Sequence, residues 1–503
     1  MFIRENKNRS GSISVQVVQK VNGRNKVVFS AGSATARHGI ELLKIKAQEF
    51  IDQHKGTIPL FVEKEDLLVQ SFIDSLSNSN LRIVGPQVVL DPLYDSVFSL
   101  PEKKYFKDLV LCRIIYPGSK LRTVGYLSRH FNKTVSEQSI YRAMDSLDGS
   151  LKRLVEQCTY NRAVIRSEEG SLSLVFYDMT TLYFETESED DLRKIGYSKD
   201  GKHQHPQIMI GLLVNVEGYP IAYDVFEGNT AETKTLIPVI ERLVSRFGIT
   251  KPVIVADSAL LSKKNLESLQ NNGYAYVLGG RIKNESREIK DLVLNLKTTE
   301  EVPTELPHLY GRLIVSYSEK RSRKDRHNRE KGLKRLEKKV KTKKLTKEAI
   351  NNRGYNKYLK LEGETKVTVD YEAFKADQVW DGLKGYITNT DLGIKEVIGS
   401  YSNLWRVEKA FRMSKSDLRF RPVYHRKENR IKAHLLICFA AFALYKELEV
   451  KLHKNKINLS VQKAVEELKQ VHQITYQLPK SRAVKHQLLK PTPVQKELLN
   501  MEI

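Results

Sequence analysis

Cysteine is scarce in this chain. The 503 residues hold three, Cys112, Cys158 and Cys438, and none has CxxC spacing. That excludes a disulfide framework and a cysteine-built zinc site, and it fits a reducing compartment. Long apolar runs are missing as well. The longest, from Leu435 to Tyr445 with Cys438 inside it, is too short to span a bilayer and reads as a buried helix. The start, Met1-Phe2-Ile3-Arg4-Glu5-Asn6, has no apolar signal region, so a cytoplasmic, nucleoid-associated protein without a membrane partner is expected. Acids are in deficit: 60 Asp and Glu stand against 84 Lys and Arg, a formal charge of +24. An excess of that size calls for a polyanionic partner, of which nucleic acid is the commonest.

The charge is also local. Between Lys320 and Lys360 there are 18 Lys and Arg against 4 Asp and Glu, where a solvated face would mix signs. Leu333, Leu336 and Val340 give this segment a narrow apolar stripe, which suits a helix lying along DNA with phosphate contacts that carry no sequence information.

Pattern divides the chain into six stretches. Residues 1–100 form an N-terminal β and helical region, with a hairpin signal at Asn22-Gly23. Residues 101–165 are helical. Helices over Lys103–Ile115 and Leu121–Phe131 flank Pro117-Gly118, and Thr134-Val135-Ser136-Glu137 is a capping box opening a third. With Gln138 and Arg142 on that third helix, the stretch is either a helix-turn-helix unit contacting DNA through Arg142 or a plain helical subdomain. Residues 166–282 read as the first part of an α/β core: strands over Leu172–Phe184, Gln207–Val216 and Tyr219–Phe226, then helix and strand in alternation. Residues 283–390 are too long for a loop and read as a basic, β-rich inserted domain. Residues 391–450 return to the core, and 451–503 form a polar tail, helical in patches.

Three acids stand out. Asp178 lies in the apolar run Leu174-Val175-Phe176-Tyr177-Asp178-Met179-Thr180-Thr181, where an ionised carboxylate is costly unless paired or metal-bound. The bland reading places it on the solvent face of an edge strand. Asp257 follows the apolar strand Val253-Ile254-Val255-Ala256, at the strand end where α/β sheets collect ligands. It could equally be the N-cap of the turn that follows. Glu408 sits in a helical stretch where positions 401, 405, 408, 412 and 415 share one face, bearing Tyr401, Trp405, Glu408, Arg412 and Lys415. Such a stripe is poor core and a good surface for holding a phosphate chain. Three carboxylates suffice to bind two hard divalent ions and run a phosphodiester displacement.

With these residues the chain resembles a bacterial insertion-sequence transposase: a DDE active site on an RNase H-like fold, of the cut-and-paste branch. That branch has a β-rich insertion and a Tyr-x2-Arg-x3-Glu-x6-Lys signature. Asp178, in an Asp-x-Thr context, matches the first acid, Asp257 the second, and Tyr401, Glu408 and Lys415 match three of the four signature letters. The resemblance spans roughly residues 170–450. It departs at the arginine position, which is Leu404, so that either Arg412 or a residue of the insertion supplies the cation or this subgroup contacts the strand differently. It implies catalytic and metal-binding roles for Asp178, Asp257 and Glu408 toward two Mg²⁺ ions, with Mn²⁺ as a substitute. It also implies DNA contacts from Tyr401, Trp405, Arg412 and Lys415, and Trp380 or Trp405 stacking on a flipped base, although Trp405 could instead pack against the sheet. The partners implied are double-stranded DNA, as terminal inverted repeats and target, and a second copy of the chain. Two alternatives stay open: an RNase H-like nuclease, and a non-catalytic DNA-binding repressor derived from a transposase. His203-x-His205 reads as a turn near the active-site mouth, with a metal pair as the lesser alternative, and Gly196–Lys202 reads as a basic turn suited to touching DNA, without the spacing of a nucleotide-binding loop.

Overall fold

The computed structural model describes every residue except 22, 55–63, 168–171, 187, 199, 200, 202, 250, 251, 297–301, 343, 344, 346–348, 352, 353, 364, 365, 422 and 480. Asn22 and the Lys199, Asp200 and Lys202 positions of the basic turn therefore lie outside the described residues. The chain forms two compact units, Met1–Leu81 with Gln473–Gln487, and Arg82–His472 with Leu488–Ile503.

In the first unit, strands Phe2–Lys7, Ile13–Val21 and Arg24–Ala34 make an antiparallel meander. Its alternating residues Val15 and Val17 face Ile40, Ala47 and Ile51 of helix Arg37–His54 and form a small separate core. The strands His472–Gln477 and Val484–Leu488 fall in a tail whose sequence reads as polar and helical. Their residues are half-buried or exposed, so hydrophobic periodicity gives them little signal.

The second unit opens with helices. α1 (Phe106–Ile115), α2 (Lys120–Phe131) and α3 (Glu137–Asp145) sit where the three-helix pattern predicts, and Ser119 and Ser136 cap the second and third. α4 (Gly149–Arg166) then leads into the main sheet. The sheet's strands are β1 (Leu174–Tyr183), β2 (Gln207–Val214), β3 (Pro220–Glu227), β4 (Val253–Ala256) and β5 (Ala275–Gly280), then β6 (Thr304–His308), β7 (Gly311–Tyr317) and β8 (Leu383–Thr388). Their order is β6-β7-β8-β5-β4-β1-β2-β3. β1, β2 and β3 form an antiparallel meander, whereas β4 runs parallel to β1 and β5 parallel to β4. α5 (Leu236–Phe247) and α6 (Lys263–Asn271) connect these last strands.

The 283–390 stretch contributes to this sheet. β8 pairs antiparallel with β5, and β7 and β6 continue outward. Only its middle stands apart. There α7 (Glu319–Lys341) packs Leu336 against Tyr358, Leu359, Val367 and Val369, a small core of its own. The apolar stripe on α7 is thus spent on packing within the insertion, and the exposed basic residues lie around it.

Two helices follow where a single helical face was expected. α8 (Ile394–Ser402) and α9 (Trp405–Ser416) are separated by a turn at Asn403-Leu404. Tyr401 and Glu408 therefore belong to different helices, and the five-residue stripe is not one continuous surface. α10 (Glu428–Lys454) contains the longest apolar run and is buried over most of its length, against α1 and α3. Among the described residues no helix is long and apolar enough to cross a membrane.

Candidate active site

The parallel pairing of β1 with β4 sets the two aspartates side by side. The register matches Leu174 with Val253 and ends at Tyr177 with Ala256. Asp178 and Asp257 are the next residue on each strand, so both carboxylates leave neighbouring strands at the same level. Asp178 stays in β1, opposite Leu212 of β2, so its strand is interior to the sheet rather than at an edge. Its Oδ1 accepts the Met179 N–H at 2.7 Å. Asp257 lies past the end of β4, exposed, and caps the short turn Ser258–Leu260 through its own Oδ1. The N-cap reading of this residue is thus met, and the cap leaves its carboxylate at the strand end.

Tyr401 joins the pair from α8. It is 7% exposed, and its hydroxyl donates to Asp257 Oδ1 at 2.8 Å. Burial, followed by the charge of Asp257, pushes its phenol well above the usual range, so it remains a donor at neutral pH. Gly279 on β5 makes the approach possible: a Cβ there would stand 2.5 Å from the Tyr401 oxygen and 2.9 Å from the Ser258 nitrogen. The position expected to grip DNA is therefore turned inward, onto a carboxylate.

The break after Tyr401 accounts for Leu404. Its side chain is 8% exposed and belongs to the main core. An arginine there would be buried, so the departure from the signature follows from packing. Arg406 does not replace it, since its guanidinium bonds the Val216 carbonyl. A cation does stand at Tyr401, brought by another strand of the sheet. Lys384 on β8 holds its ammonium 4.1 Å from the centre of the Tyr401 ring and 5.3 Å from that of Tyr386. Burial and then Arg321 push its pKa down to about 8, against the upward pull of Asp257 and Glu408. Two of the three acids thus act on one ammonium. Lys384 carried no spacing signal in the sequence, being a single lysine in a mixed strand.

Glu408 is exposed on α9, which packs on β1 and β2. Trp405, 53% exposed, and Arg412 flank it in the open. Lys415 is half-buried further along, beside Thr180 and Leu182 of β1. Trp380 is half-buried and lines a cavity of about 670 Å³ together with Asp257, Arg321, Lys384 and Tyr401. Arg142 is exposed on α3. Of the two histidines, His203 Nδ1 accepts the Ser198 N–H at 3.4 Å, and the buried His205 Nδ1 has no hydrogen-bond partner among the described residues.

Three carboxylates are the hard oxygen donors that Mg²⁺ or Mn²⁺ takes, so the donor chemistry fits such ions. As they stand, no three Asp, Glu, His or Cys side chains among the described residues converge into a metal-holding group. The two aspartates are brought to one level by register, and Asp257 and Glu408 both pull the pKa of Lys384 upward.

A family model for the transposase DDE domain matches residues 169–444, more than half of the chain. No curated protein matches. Similar solved structures include the piggyBac transposase synaptic complex with hairpin DNA, at 11% identity and TM-score 0.40, covering 76% of both chains. The Mos1 transposase paired-end complex with left transposon end is 12% identical at TM-score 0.16, covering 35% of this chain and 59% of that one. The Mos1 mariner paired end complex with Mn is 13% identical at TM-score 0.15, covering 47% and 77%. All three likenesses are too loose to bear on the geometry of the site.

Proposed function

The chain belongs to the transposase DDE domain family, and from that premise we propose that it cleaves DNA at the ends of a mobile element and joins the freed strand to target DNA. The observation that carries this reading is the register that sets Asp178 and Asp257 level on adjacent parallel strands. The meander-then-parallel order β3-β2-β1-β4-β5 supports an RNase H-like core. The insertion between the second aspartate and Glu408, with its strands on the sheet edge, supports the insertion-sequence branch.

Asp178, Asp257 and Glu408 would hold two Mg²⁺ ions, with Mn²⁺ as a substitute; DDE transposases generally use divalent ions. When bound, such ions activate the attacking oxygen and neutralise charge on the leaving one. The chain's own groups do the rest. Tyr401 fixes the rotamer of Asp257 through one charge-assisted hydrogen bond. Lys384 balances the acids with a cation held on two aromatic rings. Exposed Trp405 offers a stacking face for a base, Trp380 a second one within the cavity, and Arg412 and Lys415 phosphate contacts along α9. Water attacks the phosphodiester at the element end and leaves a 3′-hydroxyl. That hydroxyl then attacks the opposite strand or the target in line, with no covalent protein intermediate. Double-stranded DNA, bound by two copies of the chain, is the substrate. The N-terminal unit and the exposed Arg142 on α3 would read the element ends.

Asp178→Asn tests this. Duplex binding should persist while Mg²⁺-dependent nicking is lost. If the wild type binds DNA yet nicks no end sequence, the chain is a binding module. If it nicks but never joins strands, it is a nuclease.

A further inference from the structure

A second cavity, of about 420 Å³, opens among α1, α2, α3, α10 and the residues Arg419, Arg421, Tyr424 and His425. It is lined by Arg113, Lys120, Arg122, Arg419, His425 and His434, and among the described residues no acid lines it. Its floor is largely buried: Arg113 is 6% exposed, Lys120 5% and His434 5%. Buried cations are ordinarily paired, because an unpaired one is strongly destabilising. Here the charged side chains acting on one another are alike. Arg113 opposes the charge of Lys120, and Arg113, Lys120 and Arg430 oppose a charge on His425. The nearby thiols give no anion, since burial pushes Cys112 up to about 12 and raises Cys438. Of the acids on the adjoining helices, Asp145 pairs with Arg430 and Asp108 with Lys133, each at 2.7 Å, and Glu137 is hydrogen-bonded to Tyr141.

Two further features point the same way. Ser119 and Lys120 bring the N-terminus of the 12-residue α2 to the cavity, adding a favourable end for an anion. Arg419 holds a φ of +47°, a strained conformation for a side chain of its size, at the rim. Uncompensated charge and backbone strain at one cavity indicate a site shaped for a ligand.

We propose that this cavity binds the terminal phosphate of a DNA strand, a phosphomonoester dianion on a 5′ end. The inference rests on the strand-cleaving reading, because hydrolysis that frees a 3′-hydroxyl leaves a 5′-phosphate on the other side of the cut. A phosphodiester within a strand carries one charge and is flanked by sugars, so it cannot be lowered onto a sunken floor. A terminal phosphate carries up to two charges on a single attachment and reaches it. The volume leaves room for part of the nucleoside behind, beside the rings of Tyr141 and of Tyr424, the latter 69% exposed.

The test uses the full chain without divalent ions, titrated with two duplexes that differ only in a 5′-phosphate or a 5′-hydroxyl. The wild type should bind the phosphorylated end about tenfold tighter, as for one or two hydrogen bonds to a charged group. Lys120→Gln and Arg419→Gly should each remove the difference and leave the affinity for the hydroxyl end unchanged. The glycine variant also relieves the positive φ, so it keeps the test sound if the buried variant misfolds. Inorganic phosphate should compete away the preference. Equal affinity of the wild type for the two ends overturns the proposal, as does a preference that survives in Arg419→Gly and in folded Lys120→Gln. Thermal protection by inorganic phosphate without any end preference overturns it too, in favour of a free phosphate ligand. Failure of the strand-cleaving reading would show separately, as a wild type that cuts no duplex in Mg²⁺ whatever its end preference.

Discussion

Tyr401→Phe removes one oxygen from the candidate site and little else. The ring lies edge-on to Tyr386, with centroids 5.1 Å apart, and carries Lys384 on its face. Phenylalanine keeps both contacts, so the variant should fold. What it loses is the 2.8 Å hydrogen bond to Asp257 Oδ1. A hydrogen bond to a charged group contributes about 1.5–3 kcal/mol. Asp257 is exposed, so water will recover part of that, and the direct cost in stability should stay below about 1 kcal/mol. The larger effect falls on function, because a partner that orients a metal-binding carboxylate typically matters by about 10–100-fold in metal affinity or activity. Nicking of a duplex should therefore require a higher Mg²⁺ concentration in Tyr401→Phe, with DNA affinity unchanged. The assay is a Mg²⁺ titration of nicking beside a metal-free binding curve. Wild-type metal dependence would refute a positioning role. A loss of DNA affinity with unchanged metal dependence would instead restore Tyr401 as a phosphate contact.

Further outcomes follow from individual residues. Leu404→Arg, which restores the signature cation, should destabilise the chain by about 2–4 kcal/mol in chemical denaturation, because it buries a charge in the core; wild-type stability would show that position 404 faces solvent. Glu447 is fully buried and accepts from Arg162 at 2.7 and 3.2 Å and from Arg166 at 2.7 Å, so Glu447→Ala should cost about 3–5 kcal/mol by leaving Arg162 without its acid and Arg166 with only Glu217 at 3.8 Å. Burial, followed by Arg113, pushes Lys120 down to about 7 in the folded chain from 10.5, so its penalty is full below about pH 7 and is relieved as the pH rises toward 10.5. Lys120→Met should therefore be more stable than wild type by about 1–4 kcal/mol at neutral pH, with the gap closing by pH 10; His425 and His434, which face the same cavity, stay neutral across that window. Reversing the exposed Lys331, Lys334 and Lys338 on α7 should flatten the salt dependence of DNA affinity, by about 0.9 in slope for each phosphate that is no longer neutralised; an unchanged slope would show that this helix does not touch the backbone.

The strands that carry the aspartates were legible because each is an apolar run with a single acid, inside the run for Asp178 and just past it for Asp257, and buried sheet interiors demand such runs. The neighbouring level of Asp178 and Asp257 was not, since register is a tertiary property. The helix around Glu408 was legible as a helix but not as two. The break depends on Leu404 turning into the core, which a periodicity argument cannot anticipate when the positions either side fit one face. Tyr401 was noticed for its chemistry, but its hydrogen bond to Asp257 was not legible, because it depends on where the sheet brings the two residues. Lys384 gave no signal at all, because its significance comes from the rings and acids that the sheet brings around it. The same holds for Lys120 and Arg113, which look like ordinary helix-end cations until the fold closes over them.

The central claim is that the three acids cut and rejoin DNA. Its most direct test takes a duplex copied from the DNA that flanks this gene, a circular target and Mg²⁺. The measurement is whether a labelled 3′ end of that duplex becomes covalently joined to the target. The wild type should give joined product, and Asp178→Asn, Asp257→Asn and Glu408→Gln should each bind the duplex and give none. Joined product from any of the three variants at the wild-type rate would contradict the assignment of that acid. Absence of product from a wild type that binds the duplex would contradict the transposition chemistry itself.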